Sequence, residues 1–248
     1  MIKILIANRK GGVGKTTTTL NIANIFANRK YKTLIVDLDT QSHVQYGLGI
    51  KDNFEYGIHS ALVNQEINVK DLICKSNIEN LDFIPANINY NSSLIQKKKA
   101  LKKLLKKVKH DYDICIIDTA PMSDSILEMA IIASKYVIVP MEIGPLGLIG
   151  TMQFIKIFYK NSSKLNKKLT LLGILPTLYN KSMREHNEII KELQKVVGVN
   201  KVLPPIRKDA KLATIYQNGI YSISDKHSRG TDDYNEIVNI MIKEMFLK

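Results

Sequence analysis

Asn8-Arg9-Lys10-Gly11-Gly12-Val13-Gly14-Lys15-Thr16-Thr17 follows directly on an apolar run, Ile2-Lys3-Ile4-Leu5-Ile6-Ala7. The apolar run suits a buried parallel strand. Downstream, Thr16 to Arg29 carries Leu20, Ile22, Ala23, Ile25, Phe26 and Ala27, an apolar face compatible with a helix. Strand, glycine-rich turn and a helix opening on Gly-Lys-Thr make a phosphate cradle. Glycines let backbone N–H groups approach phosphate oxygens, and the helix N-terminus adds partial positive charge. Lys15 supplies a point charge, and the Thr16 hydroxyl suits Mg2+. The bland alternative is an ordinary tight turn. It does not account for Gly-Lys-Thr-Thr between a strand and a helix. The usual pattern G-x-x-x-x-G-K-[ST] is altered here, because Arg9 takes the first glycine position and Lys10 precedes Gly11.

From there outward the pattern alternates strand and helix, which predicts an α/β fold with a mainly parallel sheet covered by helices. Strand signals lie at Lys32 to Asp37, Leu81 to Pro85, Ile114 to Ile117, Tyr136 to Pro140 and Leu169 to Leu175. Lys201 to Leu203 is a weaker last one. Ligands of open α/β sheets bind outside the carboxyl ends of strands. The second strand ends in Asp37-Leu38-Asp39-Thr40-Gln41 and the fourth in Asp118-Thr119-Ala120-Pro121. Carboxylates on neighbouring strand ends facing a phosphate cradle suit Mg2+, which takes hard oxygen ligands and keeps several waters. Either Asp alone also reads as a helix N-cap.

The 248 residues suffice for one α/β domain, taken as 1–248, and no repeat or linker divides them. No uninterrupted apolar run is long enough for a membrane span, and no signal peptide fits. Cys74 and Cys115 form no CxxC pair; Cys115, inside an apolar strand, reads as a buried structural thiol. The five histidines lack metal-ligand spacing. A reduced cytoplasmic compartment is expected.

Lys+Arg 36 against Asp+Glu 23 gives a net charge of +13. A nucleotide needs few cations, so the surplus points to a polyanion, nucleic acid or anionic membrane. The competing explanation is a lysine-rich coding bias. Lys97 to Lys109 is the most basic segment. Its Leu101, Leu104, Leu105 and Val108 recur at helical spacing and leave lysines on the other face, either solvated or phosphate-contacting. No aromatic interleaving suggests base stacking, so sequence-independent duplex contact is favoured. Tyr234, Ile237, Val238, Met241 and Met245 form one helical stripe, widened by Ile242 and Phe246. Few basic residues flank it, so it reads as docking on the chain's own core rather than on lipid.

Lys-Gly-Gly-Val-Gly-Lys-Thr-Thr resembles the deviant Walker A motif of the ParA/MinD family of ATPases, closest to small Soj-like partition proteins without an N-terminal helix-turn-helix domain. The resemblance implies a P-loop NTPase fold, Rossmann-like and three-layered α/β/α. It implies ATP and Mg2+ as cofactors, with weak basal hydrolysis. Nucleotide would be held by Lys10, Gly11, Gly12, Val13, Gly14, Lys15, Thr16 and Thr17. Lys10 would reach across a homodimer to the partner's phosphates, as an arginine finger does. Asp37-Leu38-Asp39-Thr40-Gln41 looks like the family's D-x-D-P-Q signature. By that match Asp39 acts on the attacking water and Asp37 supports the Mg2+ shell or Lys10. Tyr112 to Pro121 looks like its Walker B, with Asp118 binding Mg2+ through water. The metal set is then Thr16, Asp37, Asp39 and Asp118, and the catalytic set Lys10, Lys15 and Asp39. Met122-Ser123-Asp124-Ser125 would act as a switch near the γ-phosphate. Gly173 to Asn180 and Pro204 to Leu212 are similar to segments lining the family's adenine pocket, which nominates Asn180 and Pro205; Asn180 also reads as a turn residue. Arg184, Arg207, Lys208 and Lys211 would lie on a DNA face.

The function expected from this resemblance is DNA partitioning. An ATP-bound sandwich dimer binds double-stranded DNA non-specifically and is released when a ParB-like centromere-binding protein stimulates hydrolysis. The protein would be cytoplasmic, nucleoid-associated with ATP, and without stable membrane association. The alternative is a MinD-like membrane-associated ATPase that positions a protein cargo. A metal-cluster reductase of the nitrogenase iron-protein kind would need cysteines soon after Asp118, where none stands nearby.

Overall fold

The computed structural model describes residues 1–248 except 53, 88–96, 122–123, 221–227 and 247–248, and the side chains of 124, 217 and 218. Met122 and Ser123 of the expected switch Met122-Ser123-Asp124-Ser125 therefore lie outside the described residues.

One seven-stranded sheet runs through the molecule, in the order β3-β4-β2-β5-β1-β6-β7. The strands are β1 (Ile2–Ile6), β2 (Thr33–Asp37), β3 (Cys74–Lys75), β4 (Leu81–Ile84), β5 (Ile114–Asp118), β6 (Tyr136–Glu142) and β7 (Thr170–Thr177). All pairs are parallel except β3 with β4. The central strands are apolar on both sides because both faces are covered. Alternate residues go to opposite layers, as the pleat requires. Leu5, Leu34, Val36, Cys115, Ile117, Val137 and Val139 pack under one set of helices, and Ile4, Ile6, Ile35, Ile114, Ile116 and Ile138 under the other.

The first layer holds α3 (Ile58–Val63), α4 (Ala100–Lys107), α5 (Asp124–Ala133), α6 (Pro145–Leu165) and α7 (Arg184–Val197). The second holds α1 (Lys15–Asn28), α2 (His43–Gly47), α8 (Ala210–Ala213), α9 (Ile215–Asn218) and α10 (Arg229–Phe246). This is the three-layer P-loop NTPase architecture expected from the sequence. Leu101, Leu104, Leu105 and Val108 are buried and the lysines between them exposed, as their spacing predicts. On α10, Tyr234, Ile237, Val238, Met241 and Met245 are buried against the chain's own second layer. Cys115 is fully buried, and burial pushes its thiol up to about 12.

One strand expectation needs correction, and one strand was not expected. Lys201 to Leu203 is no strand: a 3-10 turn covers Val199–Lys201, and a lone parallel bridge joins Val202 to Ile174. Pro204 and Pro205 follow at once and cannot donate to a ladder. The edge strand β3 carries no sequence signal, since two residues are too few for alternation to register.

Candidate nucleotide site

The carboxyl ends of β1, β5 and β2 lie side by side, because Ile6 pairs with Asp118 and Asp118 with Asp37. The chain leaves β1 through the glycine loop and enters α1 at Lys15. Gly12 (φ 76°) and Gly14 (φ 83°) take left-handed backbone angles, which side-chain-bearing residues adopt at a cost. The loop is tied down on several sides. Asn8 donates its side-chain amide to the Pro140 carbonyl at 2.8 Å and to Thr151 Oγ1 at 3.1 Å. Thr177 Oγ1 donates to the Val13 carbonyl at 3.1 Å. Thr119 Oγ1, just past β5, donates to the Ile6 carbonyl at 3.0 Å. None of Asn8, Thr119, Thr151 or Thr177 stands out as a site residue in the sequence, because their partners are distant backbone and side-chain groups.

Around this cradle the expected residues converge. Lys15 is only 7% exposed and donates to the Lys10 carbonyl at 3.0 Å. Burial pulls its pKa down, while Asp118 and Asp39 push it up. Thr16 Oγ1 donates to Asp118 Oδ2 at 2.7 Å, and Thr19 Oγ1 to Asp118 Oδ1 at 3.0 Å. Burial raises the Asp118 carboxyl to about 6 against the pull of those hydroxyls and of Lys15. Asp37 is driven well above the usual range by burial and by Asp118. One Asp37 oxygen accepts from the Asp39 N–H at 2.9 Å; the other faces the Val44 N–H at 3.4 Å. Asp39, 8% exposed, accepts from the Gln41 N–H at 3.0 Å.

These strains have opposite sign. A buried lysine lacks a full anion, and the buried Asp37 and Asp118 carboxyls are held toward their protonated forms. A divalent cation among the carboxylates would restore their ionised form, and a phosphate on the loop would restore that of Lys15. The residues therefore fit Mg2+ with a polyphosphate. Thr16 and Asp118 would hold the ion or its waters, Asp37 would support them, and Asp39 would orient a water. Bound Mg2+ would neutralise charge on the phosphates.

Lys10 stands apart from Lys15. Its ammonium is 2.7 Å from Glu142 Oε2, at the end of β6, with the two side chains 36% and 40% exposed.

Beside the loop lies a cavity of about 280 Å³ lined by Gly12, Gly14, Thr17, Leu178, Ile206 and Tyr234, among others. Its walls suit a flat heterocycle. Pro205 immediately precedes the wall residue Ile206. Asn180 is not in the lining; its side-chain oxygen accepts from Ser182 N–H at 3.1 Å and from Ser182 Oγ at 2.7 Å. The geometry thus gives Asn180 its turn role. Of the residues nominated for a DNA face, Arg207 is gripped by Asp233, with contacts of 2.7 and 3.0 Å, and both Arg207 and Lys208 line the cavity. Arg184 pairs with Glu188 at 2.9 Å on α7, away from Lys208 and Lys211 in sequence. Lys208 and Lys211 are exposed. Among the described residues no helix is long and apolar enough to cross a membrane.

Residues 1–171 match the model of a family described as an AAA domain. The sporulation initiation inhibitor protein Soj of Bacillus subtilis is 31% identical over 242 residues, 94% of this chain and 95% of Soj. The chromosome-partitioning ATPase Soj of Treponema pallidum is 26% identical over 96% of each chain. Among solved structures, a putative plasmid partition protein of Borrelia burgdorferi bound to AMPPNP superposes with a TM-score of 0.80, at 25% identity over 98% of this chain and 99% of that one. Cobyrinic acid a,c-diamide synthase of Mycobacterium smegmatis with ADP and magnesium gives 0.84, at 26% identity over 100% and 97%. The septum site-determining protein MinD of Pyrococcus horikoshii with Mg-ADP gives 0.82, at 23% over 99% and 98%, a likeness of fold. With the cradle, the strand-end carboxylates and the second lysine in place, the chain belongs to the ParA/MinD family of deviant Walker A P-loop ATPases.

Proposed function

We propose that this ATPase is a nucleotide-switched positioning protein, with duplex DNA as the surface it works on. The observation that carries the reading is the division of labour between its lysines. Lys15 is sunk in its own loop, whereas the Lys10 ammonium lies out on Glu142. A lysine so placed can leave a partly exposed ion pair for the phosphates of a second subunit. Such a pair holds it by roughly 0–1 kcal/mol. ATP would then close a homodimer, with Lys10 from each protomer stabilising transferring charge on the other's nucleotide. The dimer would present two sets of basic residues to DNA phosphates. A ParB-like partner would stimulate hydrolysis and release. Support comes from the partition proteins that align along nearly the whole chain, and from the +13 net charge.

The second reading is a MinD-like ATPase that positions a protein cargo on an anionic membrane. It is favoured by the MinD fold and by the exposed lysines of α4, which suit lipid phosphates as well as DNA. One set of measurements separates the two. Labelled duplex is titrated with protein and ATP, ADP or no nucleotide, and the same samples are floated with anionic liposomes. ATP-dependent capture of DNA is expected. Liposome recruitment with no DNA capture would overturn the DNA reading in favour of the second. Hydrolysis that needed an organic acid and an amine donor would instead move the protein toward the synthase.

A further inference from the structure

Helix α9 brings one side chain to the phosphate loop. Its Tyr216 hydroxyl is 3.4 Å from Thr17 Oγ1, in the first turn of α1. Its ring meets His43 of α2 edge-on, with centroids 6.1 Å apart. Immediately after α9, the Ile220 N–H donates to the Gly47 carbonyl at 2.7 Å, so α9 is fastened to α2. Helix α2 is in turn attached to Asp37 through the Val44 N–H. Upstream, α8 begins at Asp209, whose carboxylate accepts from the Lys211 N–H at 2.9 Å and the Gly230 N–H at 3.0 Å. The exposed Lys208 and Lys211 sit at this end of the same short segment.

A phosphate on the loop must lie against the N–H groups and hydroxyls that open α1. Thr17 is one of those hydroxyls and also lines the neighbouring cavity. The Tyr216 hydroxyl is therefore within reach of a hydroxyl that a bound phosphate would lie against. At neutral pH a tyrosine hydroxyl keeps its proton and can donate it in a hydrogen bond. A phenol–phosphate hydrogen bond is charge-assisted and stronger than a phenol–threonine one. Neither sequence motif nor periodicity marks this residue.

We propose that Tyr216 binds the nucleotide's phosphate chain beside Thr17 and thereby ties the position of α8–α9, with Lys208 and Lys211, to nucleotide occupancy. The proposal rests on the reading of Gly11–Thr17 as the phosphate loop. It makes α9 a contact between the nucleotide and the chain's basic segment.

Tyr216→Phe keeps the ring against His43 and removes only the hydroxyl. Affinities for ATP, ADP and adenosine are measured calorimetrically on wild type, Tyr216→Phe and Lys15→Ala, each first checked for a cooperative thermal transition. ATP and ADP should bind Tyr216→Phe about 10- to 150-fold more weakly, the loss expected for one hydrogen bond to a charged group. Adenosine should bind both proteins alike. Hydrogen exchange should show ADP protecting residues 210–218 in wild type and not in Tyr216→Phe. ATP affinity unchanged in Tyr216→Phe overturns the proposal, as does an equal loss for adenosine, which would mean a packing role only. Equal protection by ADP in both proteins overturns the link to α8–α9. If Lys15→Ala binds ATP as wild type does, the phosphate-loop reading has failed and the proposal with it. If Lys15→Ala binds poorly while Tyr216→Phe is normal, the proposal alone has failed.

Discussion

Lys10 and Lys15 carry the same charge a few residues apart and answer to different neighbours. Removing the Lys15 ammonium takes away the cation inside the loop, so nucleotide binding itself should be lost. Lys10→Ala leaves the glycine backbone and Lys15 in place. It should bind ATP within about threefold of wild type yet fail to dimerise with ATP or to hydrolyse it, since the contact removed is to the partner's nucleotide, both in the dimer and in its transition state, rather than to its own. Light scattering with ATP checks this; a normal ATP dimer would refute a cross-subunit lysine. Another residue governs acid stability. His59 is fully buried in α3, and burial lowers its pKa to about 4, with the Leu38 backbone and the Asp39 charge pulling the other way only in part. The depressed value means the folded chain binds fewer protons than the unfolded one between about pH 4 and the ordinary value of 6.5. Stability from neutral His59 is therefore full above about pH 6.5 and falls as pH drops toward 4, by about 3 kcal/mol in all. Asp118 and Asp37, with raised values, work in the opposite direction over the same range. A difference measurement isolates the histidine. His59→Gln, relative to wild type, should gain about 3 kcal/mol on going from pH 7 to pH 4 in urea titrations. A pH-independent difference would show that His59 does not titrate this way.

At the scale of elements, the turn from β6 into α6 is the tightest part of the site. A Cβ on Gly147 would collide with the backbone carbonyl of Glu142, and backbone cannot swing aside as a side chain can. Gly147→Ala should therefore cost more than about 2 kcal/mol of stability and displace Glu142 from Lys10. Gly150, three residues on, meets nothing, so Gly150→Ala should be neutral or slightly stabilising. Equal melting temperatures for the two variants would contradict this. The same turn shows what was legible in the sequence. Strand, phosphate loop, α1, the Asp37 and Asp118 strand ends and the apolar faces of α4 and α10 all announce themselves through local spacing. Glu142, Thr177, Tyr216 and Thr119 do not. Thr119 meets a partner 113 residues away and Thr177 one 164 residues away, through a topology that places β6 next to β1 and β7 beyond it. Asn180 illustrates the reverse: its own i+2 neighbour satisfies it, which local turn chemistry anticipates.

On the whole molecule, charge is unevenly committed. Arg207 is engaged by Asp233, so its neutralisation would disturb α10 and the cavity as well as any surface. Lys208 and Lys211 are the better probes of one basic face; the lysines at 102, 103, 106 and 107 on α4 are the probes of the other. The two faces lie on opposite helical layers, since α8 packs with α1 and α10 while α4 packs with α3 and α5. One flat DNA duplex is therefore expected to lean mainly on one of them. If the partition reading holds, ATP-dependent DNA affinity should fall steeply with salt through counterion release and vary little among unrelated duplexes. Replacing Lys208 and Lys211 by Gln should weaken binding on every sequence and flatten the log–log salt slope by roughly one unit for each phosphate no longer neutralised. Hydrolysis without DNA should stay near wild type in Lys211→Gln alone, because Lys211 lies outside the cavity that Lys208 helps to line. The α4 quadruple variant is the control. If it alone loses DNA, the face lies with α4 and the Lys208/Lys211 assignment is wrong. If both variants keep the wild-type slope, duplex phosphates are not what the +13 chain was built to meet.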